Sequence, residues 1–197
     1  VPIHTGLDLA VFDDHLNTFA REESRFVVVC VASIEPRKGQ DILLRSLGEI
    51  PEDLRQRLDV YLVGRILDCD FHKELQKLVR LHPNVHIVGE VAHQRVTSYI
   101  RSADVFVLPS RDEALPISLL EAMSYGKVVI ASNAGGTAEV VIHGEHGLIF
   151  EVGDYIELSR QLQRLAQNPE LMHELERNAR NRFESYLTLE RFGREMV

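Results

Sequence analysis

A continuous apolar run, Phe26-Val-Val-Val-Cys-Val-Ala32, constrains the fold more than any other stretch of this chain. Strand-forming residues without polar alternation belong to a strand covered on both faces, the setting of a central strand in a parallel sheet. A turn segment, Ser33 to Gly39, leads from it into an amphipathic helix, Gln40 to Leu47, with Ile42, Leu43, Leu44 and Leu47 apolar. The cycle then repeats. Further strands are predicted over Leu58 to Val63, Val85 to Val88, Val105 to Leu108, Val128 to Ile130 and Leu148 to Phe150. Helices are predicted over Asp70 to Leu81, His93 to Arg101, from Pro116, briefly from Thr137, and from Asp154 to Gln167 with Asp154 as cap. Asn168-Pro169 restarts a helix that runs to about Ser185, and a last amphipathic piece covers Leu189 to Val197. Six strands alternating with helices predict an α/β fold with a doubly wound, parallel, six-stranded, Rossmann-like sheet.

Such sheets bind ligands beyond the carboxyl ends of their strands. The polar and glycine-rich loops of this chain fall there: Ser33 to Gly39, Gly64-Arg65, Gly89-Glu90-Val91, Arg111 to Ser118 and Gly135-Gly136. A length of 197 residues suits one domain with a sizeable core. A net charge of −8 argues against a general nucleic-acid surface but leaves room for a small anion held by local cations. No apolar run approaches a membrane span, and no signal peptide is apparent. Cys30, in an apolar strand, and Cys69, in a polar loop, read as free thiols of a reducing compartment.

The densest stretch runs from Asp104 to Glu139. After the Val105 to Leu108 strand, Pro116 is expected at the first helical position, where its missing N–H costs nothing, and Gly126 at the C-terminal cap. Glu113 precedes this helix and Glu121 lies inside it, on one face with Ser118 and Tyr125. Taken alone, the two acids read as an exposed helical carboxylate and an N-terminal acid favoured by the dipole. Arg37-Lys38-Gly39 puts two cations and a flexible backbone on the first loop, where a diphosphate would gain charge-assisted hydrogen bonds. A solvated basic dipeptide accounts for it as well.

The order Glu113-Ala-Leu-Pro-x-x-Leu-Leu-Glu121-Ala-Met-x-x-Gly126, then a Val/Ile strand and Gly135-Gly-x-x-Glu139, resembles the retaining glycosyltransferases of the GT-B fold. More narrowly it is similar to the Glu-x7-Glu group, also called glycosyl transferases group 1. The resemblance implies that the chain is one half of such an enzyme. Residues 1–24 would be interdomain link and lead-in, 25–185 the nucleotide-sugar-binding Rossmann-like domain, and 186–197 a truncated C-terminal helix, with the N-terminal acceptor domain absent.

Site roles follow from the same resemblance. Glu113 would address the donor sugar near its reacting carbon, as the catalytic carboxylate. Glu121 would accept from the ribose hydroxyls. Arg37, Lys38, Gly39, Ser33, Leu115, Ile117 and Ser118 would surround the sugar and phosphates, with the amides of 117 and 118 on the β-phosphate. Main-chain groups of Gly89, Glu90 and Val91 would meet the base. Ser33 stands where the family has an arginine, and Ala114 and Pro116 replace glycines of its commonest loop.

The implied substrate is a nucleotide diphosphate sugar, UDP- or GDP-linked, with no metal and no further cofactor. Asp68-Cys-Asp70 precedes a helix and reads as capping rather than as a manganese motif, and His143-Gly-Glu-His146 reads as a turn. The implied acceptor is a glycan or glycolipid met through the missing domain. The implied location is cytoplasmic, with peripheral contact at the inner membrane face. Two other readings stay open: another GT-B enzyme (epimerase, synthase or phosphorylase), and a nucleotide-binding regulatory module without chemistry. A dehydrogenase is disfavoured because no Gly-x-Gly-x-x-Gly follows the first strand.

Overall fold

The computed structural model describes residues 25–186. The proposed link over 1–24 and the terminal piece from Leu189 lie outside the described residues. The apolar runs form six strands: β1 (Phe26–Val31), β2 (Leu58–Val63), β3 (Val85–Gly89), β4 (Val105–Leu108), β5 (Val128–Ser132) and β6 (Leu148–Phe150). They pair in parallel in the order β3-β2-β1-β4-β5-β6. The chain steps outward from β1 to β3, then crosses to β4 on the other side of β1. The gap between the ends of β1 and β4 is therefore the topological switch point, where a ligand crevice is expected.

Among the described residues eight helices flank the sheet: α1 (Gln40–Gly48), α2 (Glu52–Arg55), α3 (Cys69–Val79), α4 (His93–Ser102), α5 (Ile117–Ser124), α6 (Thr137–Val140), α7 (Tyr155–Ala166) and α8 (Pro169–Tyr186). Because strand side chains alternate between faces, the central strands feed two separate cores. Val28, Cys30, Val105 and Val107 pack with α1, α3 and α7 on one face. Val27, Val29, Phe106 and Leu108 pack with α4 and α5 on the other. Helix α8 serves both, with Met172 and Leu175 in the first core and Ala179 and Phe183 in the second. Layers on both faces explain why these strands carry no polar alternation.

Several helix ends are set by local chemistry. Asp68 Oδ1 accepts from the amides of Asp70 and Phe71 at the start of α3. Asp154 accepts from Glu157 at α7, and Asn168 from Leu171 at α8. At the end of α5, Gly126 takes φ 65°, with Gly126 N–H on the Met123 carbonyl and Lys127 N–H on that of Ala122. That pair of bonds is a Schellman cap, as expected of a glycine there.

Pro116 departs from expectation. It precedes α5 rather than opening it, with φ −81° and ψ 69° and an Ile117 N–H to Leu115 carbonyl bond of 2.9 Å. These are the marks of an inverse γ-turn. The helix consequently starts one residue later.

Candidate functional site

A cleft of about 490 Å³ opens at the switch point. It is lined from β1 and its loop by Val31, Ala32, Ser33 and Lys38, from β4 and α5 by Glu113, Leu115, Pro116, Ile117, Ser118 and Glu121, and from β2 and α4 by Val63, Gly64, His93 and Val96. Lys38 is the only lysine or arginine among the described residues of this lining. The fold thus gathers residues from distant parts of the sequence into one concavity.

One wall is built from the loops after β1 and β4. Pro36–Lys38 forms a single 3₁₀ turn, ended by Gly39 at φ 67°. A Cβ at Gly39 would stand 2.0 Å from the Pro109 carbonyl oxygen, so only glycine lets the two loops approach this closely. Across that contact, Lys38 Nζ meets Glu113 Oε2 at 2.6 Å, with side chains 13% and 7% exposed. Ser110 Oγ donates to the same oxygen at 3.2 Å. Gly136 N–H donates to the Glu113 carbonyl at 3.0 Å and ties the loop to the start of α6. The Gly135-Gly136 pair therefore packs against the backbone that carries Glu113 instead of lining the cleft.

The other wall is helical. Leu119, Ala122 and Met123 are sealed in the core and fix the rotation of α5; each large side chain contributes roughly 2 kcal/mol by burial. That rotation aims Glu121 at α4, where it is buried. Among the described residues its one side-chain hydrogen bond comes from Thr97 Oγ1 at 3.4 Å, while the exposed His93 ring comes within 3.9 Å. Burial pushes the Glu121 carboxyl above its ordinary value; nearby His93 and the Thr97 hydroxyl only partly oppose this. Burial also pushes the neighbouring Tyr125 phenol up. A buried carboxylate with so few donors has acceptor capacity to spare.

The structure brings Ser33, Lys38, Glu113, Leu115, Ile117, Ser118 and Glu121 together, but not every expected residue. Arg37 is exposed and turns to Glu35 at 3.3 Å, outside the cleft lining. Gly39 acts beneath the lining, as the contact point with Pro109. Gly89, Glu90 and Val91 lead from β3 towards α4 without lining the cleft, and the Gly89 carbonyl is taken by the Gly64 amide at 2.9 Å.

The expected pair of free amides at the start of α5 is halved. The Ile117 N–H is spent in the γ-turn, whereas the Ser118 N–H has no backbone acceptor among the described residues. Ser33 is no free donor either, since its hydroxyl bonds Glu35 at 2.6 Å.

His93 and Thr97 were not anticipated. Their i, i+4 spacing puts them on one helical face, but only the packing of α4 on α5 shows that the face meets Glu121. Asp68 caps α3, and His143 Nδ1 accepts from Ile149 N–H at 2.9 Å within its turn. Among the described residues no helix is long and apolar enough to cross a membrane.

Comparison with known proteins agrees with this fold. The model of the family described as glycosyl transferases group 1 matches residues 12–182. An uncharacterized glycosyltransferase of Methanocaldococcus jannaschii is 30% identical over 152 residues, covering 76% of this chain and 41% of that protein. A GDP-mannose-dependent alpha-(1-6)-phosphatidylinositol monomannoside mannosyltransferase of Mycobacterium tuberculosis is 34% identical over 137 residues, covering 64% of this chain and 34% of its own length. Among solved structures, Anabaena HepE in complex with UDP and glucose superposes with a TM-score of 0.80 at 26% identity, over 88% of this chain and 47% of that one. The chain thus spans under half the length of these relatives. By its family match and its doubly wound sheet, it belongs to the glycosyl transferases group 1 family.

Proposed function

We propose that the chain is the donor-binding half of a retaining glycosyltransferase that moves a hexosyl group from a UDP- or GDP-linked sugar to a glycan or lipid-linked acceptor. The observation that carries this reading is the convergence of Lys38, Glu113, the Ser118 amide and Glu121 in one cleft at the ends of β1 and β4. Their chemistry divides along it. The Glu121 oxygens suit two vicinal ribose hydroxyls, because a carboxylate only accepts and this one is short of donors. Lys38 and the Ser118 amide, with the positive end of α5, suit the diphosphate. Glu113 beside Lys38 then lies where the sugar follows the β-phosphate, and its charge opposes the positive charge that develops on the anomeric carbon as the C–O bond to phosphate breaks.

Lys38, the Ser118 amide and the positive end of α5 offset part of the charge on the leaving diphosphate, and this reading assigns no divalent ion to the site. In a GT-B enzyme the acceptor hydroxyl comes from the second domain, so we expect this chain to bind donor and to transfer nothing alone. Soluble components act at the cytoplasmic face in this reading, and any membrane contact belongs to the other domain.

A thermal-shift series with UDP, GDP, ADP and their sugar conjugates, with and without EDTA, tests the reading. A diphosphate at a hundredfold excess over Kd stabilises the native state by about 2.7 kcal/mol, roughly 5–10 °C in a chain of this size. The expected result is a shift of that order for one base, unchanged by EDTA and lost in Glu121→Ala. No shift with any nucleotide would count against donor binding and favour a module that has given up the ligand.

A further inference from the structure

We infer that Arg111 and Asp41, neither of which lines the cleft, form a clamp that sets the spacing of Lys38 and Glu113 and so positions those two residues for the donor diphosphate, a role that rests on the donor-binding reading above. Arg111 lies two residues before Glu113 on the loop after β4. Asp41 lies three residues after Lys38, in the first turn of α1. The Arg111 guanidinium bonds Asp41 through both forks, at 2.8 Å to Oδ1 and 2.7 Å to Oδ2. It also donates to the Pro36 carbonyl at 2.6 Å, and the Arg111 N–H donates to the Arg37 carbonyl at 2.7 Å. All four bonds join segment 36–41 to the loop of Glu113.

The clamp is strong for its place. Asp41 is buried, its side chain 11% exposed against 38% for Arg111. Its hydrogen bond to Asp41 raises the Arg111 guanidinium further above its already high value. Arg45 approaches Asp41 only to 3.9 Å and adds no comparable bond. The planar fork matters because a lysine cannot reach both carboxylate oxygens and the Pro36 carbonyl in one geometry.

Lys38 needs such a restraint more than Glu113 does. Glu113 is held from its other side by Gly136 and Ser110, whereas Lys38 is a long side chain on a single 3₁₀ turn. A displacement of about 1 Å in a charged positioning group is enough to cost much of its effect on a bound phosphate.

The test uses the 197-residue chain in four forms: wild type, Asp41→Asn, Arg111→Lys and Arg111→Ala. Dissociation constants are measured for UDP and GDP and for uridine and guanosine, with circular dichroism and melting temperature as the check on folding. The clamp acts on the phosphate end alone, so each variant is expected to weaken diphosphate binding roughly 5- to 30-fold. Nucleoside binding should change by less than about twofold, and Arg111→Lys should fail to rescue. Equal loss for diphosphate and nucleoside, or no loss, in the near-isosteric Asp41→Asn would overturn the clamp.

A ligand-free arm separates the two readings. Acylation of Lys38, relative to the exposed Lys73, should speed up several-fold in Arg111→Ala as the turn loosens, and an unchanged ratio would again overturn the clamp. If wild type binds no diphosphate, the donor reading fails, and the acylation ratio still decides whether the clamp exists.

Discussion

The two walls of the cleft bury one glutamate each to the same extent, and treat them oppositely. Glu113 and Glu121 are both 6% exposed. On the loop wall, Glu113 is neutralised by Lys38 at 2.6 Å and supported by Ser110. On the helical wall, Glu121 has a hydroxyl at 3.4 Å and an imidazole at 3.9 Å, and burial raises its carboxyl. Two carboxylates in one crevice are therefore separated in character by their neighbours. One is a paired charge whose removal should damage the fold. The other is held against its own hydration, and the fold should tolerate or welcome its loss. Structural need and ligand need pull together on the first wall and apart on the second.

The largest effect is expected from Lys38→Ala. It leaves Glu113 buried beside a single hydroxyl, and breaking a buried ion pair from one side costs about 3–5 kcal/mol. In a chain of this size that lowers Tm by roughly 6–20 °C. Lys38→Met combined with Glu113→Gln should recover most of the loss, because the uncompensated charge is gone. Thermal melts of both variants check this, and a Lys38→Ala protein as stable as wild type would erase the contrast between the walls.

Gly135→Ala attacks the same wall through the backbone and should cost less, about 2–3 kcal/mol in a denaturant titration. Gly135 has φ 49°, where a non-glycine residue costs about 1–2 kcal/mol. The new methyl would also stand 1.9 Å from the Glu113 carbonyl oxygen, a backbone atom with no side-chain freedom to yield. Displacement of Glu113 should show as faster acylation of Lys38, whereas a substitution at exposed Gly144, with nothing near its Cβ, should leave that rate alone.

What could be read from residues alone follows the range of the forces involved. The strands were legible because burial on both faces demands unbroken runs such as Phe26–Val31, and the caps because Asp68, Asp154 and Asn168 act within three residues. Helix α2 was not, since Glu52–Arg55 is one turn held by docking of Leu54 and is too short to show a period. The γ-turn at Pro116 hides in the same way, because proline fits either position by its own φ and tertiary packing chooses. Arg37 looked like a phosphate ligand by sequence neighbourhood but turns outward to Glu35, two residues away. The Arg111–Asp41 pair spans 70 residues and carries no local mark. Likewise the glutamate spacing revealed where Glu121 lies but not that Thr97 and His93 face it, which depends on the packing of α4 against α5.

Glu121→Gln gives the smallest and most discriminating effect, because stability and binding should move in opposite directions. The folded carboxyl is raised by burial, so its contribution to stability is fully present below the ordinary value of 4.5 and is lost as pH rises through the raised folded value. At neutral pH wild type therefore carries the cost of a poorly paired buried charge. Glutamine keeps the shape without that charge and should stabilise by about 1 kcal/mol, roughly 2–4 °C. The difference in Tm should be flat well above the raised value, shrink as pH falls through it, and vanish below 4.5. If Glu121 takes the ribose as proposed, nucleoside diphosphate affinity should fall in the same variant, since one of its two acceptor oxygens is replaced by a donor. In wild type that affinity should also weaken on acidification, because the protonated carboxyl has one acceptor fewer. A Gln variant that melts lower than wild type at neutral pH would mean that Glu121 is as well satisfied as Glu113, and the two walls would then differ only in which residue supplies the partner.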